Sequence, residues 1–95
     1  MKTTTKRNTI TVRTDTVISE GVACRYTLLR DEDLHSTCRT PLYYIRAAYT
    51  DIGEAEAAET DAIIDPGYAL MLYEILRENF VLPEHLRDIA EELYR

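Results

Sequence analysis

The spacing of the apolar residues changes once along this chain, and that change decides the fold class. Through residue 64 the apolar side chains keep close to a two-residue period, and from Asp65-Pro66 onward they recur at helical spacing. A two-residue period puts alternate side chains on one face of a strand. A 3.6-residue period puts i, i+3, i+4 and i+7 on one face of a helix. Strands first and helices last predict an α+β domain: an antiparallel sheet of three to four strands followed by two C-terminal helices packed on one face.

The segments follow from the same rule. Ile10 and Val12 alternate with Thr9, Thr11 and Arg13, and Val17-Ile18 follow. Residues 9–18 therefore read as a strand, broken near Asp15. Ser19-Glu20-Gly21 is a turn signal. Next comes VACRYTLLRD, residues 22–31, with Val22, Cys24, Tyr26 and Leu28 on its better apolar face. A charged loop runs from Asp31 to Pro41. PLYYIRAAYT, residues 41–50, is the strongest strand: Tyr43, Ile45, Ala47 and Tyr49 share one face, and Leu42, Tyr44, Arg46 and Ala48 the other. A turn that uses Gly53 leads to a partner strand over 54–64, with a β-bulge expected at Ala57-Ala58, where the alternation slips. Asp65 is a good N-cap and Pro66 suits the first helical position. Tyr68, Met71, Leu72, Ile75 and Leu76 give the first helix its stripe, and Asn79 ends it. Pro83 opens the second helix, with Leu86, Ile89, Ala90 and Leu93 on one side. Residues 1–8 are expected to be a disordered tail, and 9–95 a single α+β domain.

The stretch 81–94, VLPEHLRDIAEELY, has the outline of the second half of a helix-turn-helix. Charge argues against that use. Of the net −6, residues 1–50 carry +3 and residues 51–95 carry −9. A recognition helix needs Arg, Lys, Asn or Gln at base edges and cations for phosphates. This one sets Glu84, Asp88, Glu91 and Glu92 against Arg87 and Arg95, so it reads as the helix that closes a core.

Ninety-five residues, 45% hydrophobic, build a modest core and leave little for a deep substrate pocket. Cys24, His35 and Cys38 match no zinc framework, and the Cys38–His35 pair has no third group to orient it. The chain's glycines, Gly21, Gly53 and Gly67, form no phosphate loop. Glu91 and Glu92 are adjacent on a helix and point apart. The expectation is a protein that is not an enzyme, with no catalytic residue, metal or cofactor. No apolar stretch fits a leader or a membrane span, so the expected setting is cytoplasmic, away from membranes.

Seven tyrosines without a tryptophan favour a surface that meets a partner, since a tyrosine ring buries area while its hydroxyl tolerates water. Two helices cover one sheet face, and the spacing leaves open which; if Tyr43, Ile45, Ala47 and Tyr49 pack under them, Leu42, Tyr44, Arg46 and Ala48 stay outside. The expected function is protein–protein interaction through that open face, with Arg25, Tyr26, Tyr44 and Arg46 as binding residues. The partner is another protein or a second copy, as a homodimer; exposed edge strands allow strand addition as well. The runner-up is a single-stranded nucleic acid stacked on Tyr43, Tyr44 or Tyr49, with Arg25, Arg46, Lys2, Lys6 and Arg7 on phosphates. No run of glycine and aromatics of the RNP kind supports it, so nucleic acid is not the expected partner.

One resemblance adds to this reading. Tyr26-Thr27-Leu28, then Tyr43-Tyr44-Ile45, then Val81-Leu82-Pro83-Glu84-His85-Leu86-Arg87-Asp88-Ile89-Ala90-Glu91-Glu92-Leu93 resemble a family of small Gram-positive bacterial proteins of unknown function. The likeness runs over residues 20–94, and 83–93 is its most specific part. It implies the same strand-then-helix order and a bacterial cytoplasmic setting, and it brings no catalytic residue.

Overall fold

Four strands in chain order form one antiparallel sheet: β1 (Thr9–Ser19), β2 (Val22–Asp31), β3 (Leu42–Tyr49) and β4 (Ala58–Glu59). They are followed by α1 (Pro66–Glu78), a 3-10 turn (Pro83–His85) and α2 (Leu86–Tyr94). This is the computed structural model of the chain, and it describes residues 9–32, 41–50 and 57–94. The α+β architecture expected from the sequence is the one the chain adopts. The tail 1–8, the loop that carries His35 and Cys38, and the turn with Gly53 lie outside the described residues.

β1 joins the same sheet as the other strands. It pairs with β2 from Thr9↔Asp31 to Ser19↔Val22, and the register shifts between Thr11 and Arg13 rather than near Asp15. Glu20 (φ 52°) and Gly21 (φ 82°) form the two-residue connection. Two left-handed residues in a row make the turn whose twist matches a hairpin. Gly21 takes that conformation without strain, whereas Glu20 holds a Cβ there. Glu20→Asn, which suits the left-handed region better, is expected to raise stability by about 0.5–1 kcal/mol in urea unfolding, with an unchanged m-value.

Over the part of the predicted strand 54–64 that is described, which begins at residue 57, the fourth strand is short: Ala58 and Glu59 pair in the ladder, opposite Ala47 and Arg46, and Ile63 returns to bridge Tyr43. An unbroken ladder would set Ala62 opposite Tyr43, so the register slips by one residue beyond Thr60. That slip lies downstream of the bulge expected at Ala57-Ala58. Thr60 explains how the backbone stays satisfied: its N–H donates to the Ile45 carbonyl at 2.9 Å, and its hydroxyl accepts from the Ile45 N–H at 3.1 Å. Asp61 and Ala62 are then free to leave the sheet.

The core sits between one sheet face and α1. Cys24, Tyr26, Leu28, Ile45 and Ala47 supply the sheet side, and Ala69, Leu72, Tyr73 and Leu76 the helix side. Asp65 caps α1 through a bond from the Gly67 N–H at 3.0 Å. The buried stripe is rotated from the one the sequence suggests: Ala69 and Tyr73 are inside, and Met71 is 50% exposed. Ala69 lets the helix approach the sheet closely, and the Tyr73 hydroxyl finds acceptors on β1 and β2. At the other end the Val81 N–H reaches the Leu76 carbonyl and the Phe80 N–H reaches that of Arg77. This is the paired-bond helix stop that usually has glycine in the left-handed position. Here Phe80 (φ 49°) occupies it, and its side chain packs against the core. Leu86, fully buried, anchors the start of α2, while Leu93 near its end is 44% exposed.

Candidate functional site

The strand alternation divides the four binding residues expected from the sequence. Arg25, Tyr44 and Arg46 lie on the sheet face away from the core, where Thr27 pairs with Arg46, Leu29 with Tyr44, and Arg25 with Ala48. Tyr26 does not join them. It is on the covered face, 0% exposed, and its hydroxyl donates to the Val81 carbonyl at 2.9 Å. Neighbours on a strand point to opposite faces, so Arg25 and Tyr26 cannot serve one surface. Arg46 is half-buried and held by Glu59 of β4, with its guanidinium at 3.1 Å from the carboxylate. Arg25 is exposed and Tyr44 half-buried.

The aromatic set divides in the same way. Tyr43 packs against the core, and the Tyr49 hydroxyl, on the same face of β3, donates to Glu84 at 2.6 Å. That bond holds the Glu84 carboxyl below the usual range. Tyr44 is thus the one tyrosine of β3 directed to the open face.

The open face is not uniformly accessible. Leu29 and Ala48 are buried within it. Exposed apolar groups gather instead on the first hairpin: Ile18 is 72% exposed, Val12 45%, Ile10 42% and Val22 38%. Among the described residues β1 is also the outer strand of the sheet, paired on one side only. The sequence showed these residues as strand formers. Their exposure depends on where the helices lie, and α1 lies over β2 and β3.

A charged cluster ties β1 to α1. Asp15 accepts from the Tyr73 hydroxyl at 2.7 Å and from Arg13 at 3.1 Å, and Arg77 stands 3.9 Å away. Glu74 accepts from both Arg13 and Arg77. Arg13 also sits over the Tyr73 ring, 5.4 Å from its centroid. The Tyr73 hydroxyl, then Arg13 and Arg77, hold the Asp15 carboxyl below its ordinary range; Arg77 and Arg13 do the same for Glu74. Burial raises the Tyr73 phenol. Each charge in this cluster is answered by an opposite one, which makes it a brace between strand and helix.

Cys24 is a free, fully buried thiol, and burial pushes its pKa up, away from the thiolate a nucleophile needs. Among the described residues no group of three or more His, Cys, Asp or Glu side chains is placed to hold a metal ion. No helix among them is long and apolar enough to cross a membrane. A cleft of about 350 Å³ lies between Thr60–Ile63, α1 and α2, floored by Ile63, Leu72 and Ala90 and bridged at its rim by the Arg87–Asp61 ion pair at 2.7 Å.

Fold and site together define a small α+β domain: a four-stranded meander with its helices on one face and an open strand at its edge. No protein-family model matches the chain, and no curated protein or solved structure matches it either. The resemblance carried by 83–93 therefore lends no activity.

Proposed function

We propose that this domain is a protein-interaction module without catalytic activity, and that β1 with the adjoining open face is its working surface. The partner is a second copy or another protein. One observation carries this reading: β1 is an eleven-residue edge strand with Ile10, Val12 and Ile18 exposed. Edge strands offer a row of unpaired N–H and C=O groups, and proteins blunt them with Pro, Lys, bulges, inward-pointing charges or a very short strand. Among the described residues β4 at the opposite edge is blunted in that way, at two residues. β1 contains neither Pro nor Lys, and its register shift at Val12 leaves the run from Arg13 to Ser19 regular. Main-chain bonds along such an edge give affinity, and the flanking side chains select the partner. Arg25 and Tyr44 border the same face.

Placing a lysine on the surface tests this. Ile18→Lys adds a charge where the native side chain is mostly in solvent, so the fold should change in stability by no more than about 0.5 kcal/mol. The wild-type protein should self-associate on a sizing column or retain a protein from nuclease-treated cell extract, and the variant should lose that association. A wild type that does neither, or a variant that associates equally well, contradicts the reading. Retention that disappears with nuclease treatment would point to nucleic acid instead.

A further inference from the structure

The β1 edge has a charge pattern that distinguishes among partners, and it matches β1 itself. We propose that the partner strand is β1 of a second copy, running antiparallel about a two-fold axis at Thr14, so that two sheets join into one of eight strands. This rests on the reading of β1 as the working surface and names the partner that surface takes.

The charges near the middle of the strand favour one register. Across an antiparallel pair, opposed residues share a face, so a two-fold axis between two copies of one strand must pass through a residue position. An axis at Arg13 would set that arginine against its own copy, and an axis at Asp15 would oppose two carboxylates. Like charges directly opposite are destabilising. An axis at Thr14 sets Arg13 of each strand opposite Asp15 of the other, so both like-charge contacts become attractive ones. These groups are available, because the Arg13 and Asp15 side chains remain 38% and 33% exposed beside their partners on α1. The brace of Arg13, Asp15, Glu74 and Arg77 would then continue across the axis, with equal numbers of each sign in each copy. On the other face Thr14 meets Thr14, a pairing that sheets tolerate well. An axis at Thr16 avoids like charges too, but it leaves Arg13 and Asp15 without a partner across the junction.

Disulfide trapping tests the register. In the Thr14 arrangement the two residues 14 face each other with Cα atoms about 4.5–5.5 Å apart, inside the disulfide range. The two residues 16 are offset by four strand positions, roughly 13 Å, outside it. Thr14→Cys and Thr16→Cys are made in the full chain with Cys38→Ser, and Cys24, fully buried, is left in place. Each protein is oxidised with oxidised glutathione and run on a non-reducing gel. The expected result is a covalent dimer for Thr14→Cys that dilution before oxidation reduces, with Thr16→Cys remaining a monomer. A dimer for Thr16→Cys and none for Thr14→Cys overturns the register. A wild type that stays monomeric at every concentration, with no trapping in either variant, overturns the second copy as partner. In that case an extract protein retained by wild type and lost by Ile18→Lys would keep the broader reading of β1 intact.

Discussion

Leu86→Ala should lower the unfolding free energy by about 2–4 kcal/mol, the largest loss expected from any single truncation in the second helix. Leu86 is 0% exposed and belongs to the cluster that includes Leu72, Leu76 and Ala69. It stands where the 3-10 turn becomes α2, so its side chain fixes where the helix enters the fold. Removing it leaves a cavity in that cluster. Leu93, two turns further along the same face and 44% exposed, should cost under about 1 kcal/mol when changed to Ala. Equilibrium urea unfolding of both variants makes the comparison. A loss under about 0.5 kcal/mol for Leu86→Ala would mean that α2 does not close the core and that 81–94 is free for another role.

Tyr73→Phe is the second large effect, and its signature is a pH dependence. The Tyr73 hydroxyl donates to Asp15 at 2.7 Å and lies 3.0 Å from the Tyr26 carbonyl, so one group joins β1, β2 and α1. A hydrogen bond to a carboxylate is worth about 1.5–3 kcal/mol, and the variant should lose that amount near neutral pH. The Asp15 carboxyl titrates below its ordinary range chiefly because of this hydroxyl. A group whose folded pKa is depressed contributes stability above its unfolded pKa, near about 3.9, and that contribution disappears as pH falls through the lower folded value. The difference between wild type and variant should therefore be largest at neutral pH and shrink on acidification below about pH 4. A difference that stays constant from neutral to acid pH would show that the hydroxyl stabilises through the Tyr26 carbonyl alone. Glu74, held low by Arg77 and Arg13, keeps an acid limb in the variant, so its unfolding curve still slopes with pH.

The parts of this fold that were legible in the sequence are those decided by local spacing. Asp65-Pro66 announced a helix start, and the Asp65 carboxylate does cap it. The alternation put Cys24 and Leu28 on one face of 22–31, and Ile45 and Ala47 on one face of 41–50; it took the pairing of the strands and the position of α1 to make these two faces one core. What depended on distant partners was not legible. Tyr26 looked like an interface residue by type, yet its hydroxyl finds the Val81 carbonyl, 55 positions away, and this allows complete burial. Thr60 looked like one more strand residue, and its side chain instead replaces a ladder bond, which ends β4 early. Phe80 gave no sign of a left-handed helix stop, because that position is normally read from glycine. The candidate surface shows the same division. Ile10, Val12 and Ile18 read as ordinary strand residues, and they became candidates only when α1 was seen to lie over β2 and β3 and leave β1 at the edge.

Amide hydrogen exchange along β1, measured at several protein concentrations, tests the central claim most directly. The amides of β1 that point away from β2 have no partner strand among the described residues and should exchange quickly when the chain is alone. If β1 is the surface that takes a second copy, these amides become protected as concentration rises and lose that protection on dilution, while the amides bonded to β2 stay protected throughout. Fast exchange of the outward amides at every concentration, in a protein whose mass stays that of one chain, would contradict pairing through β1.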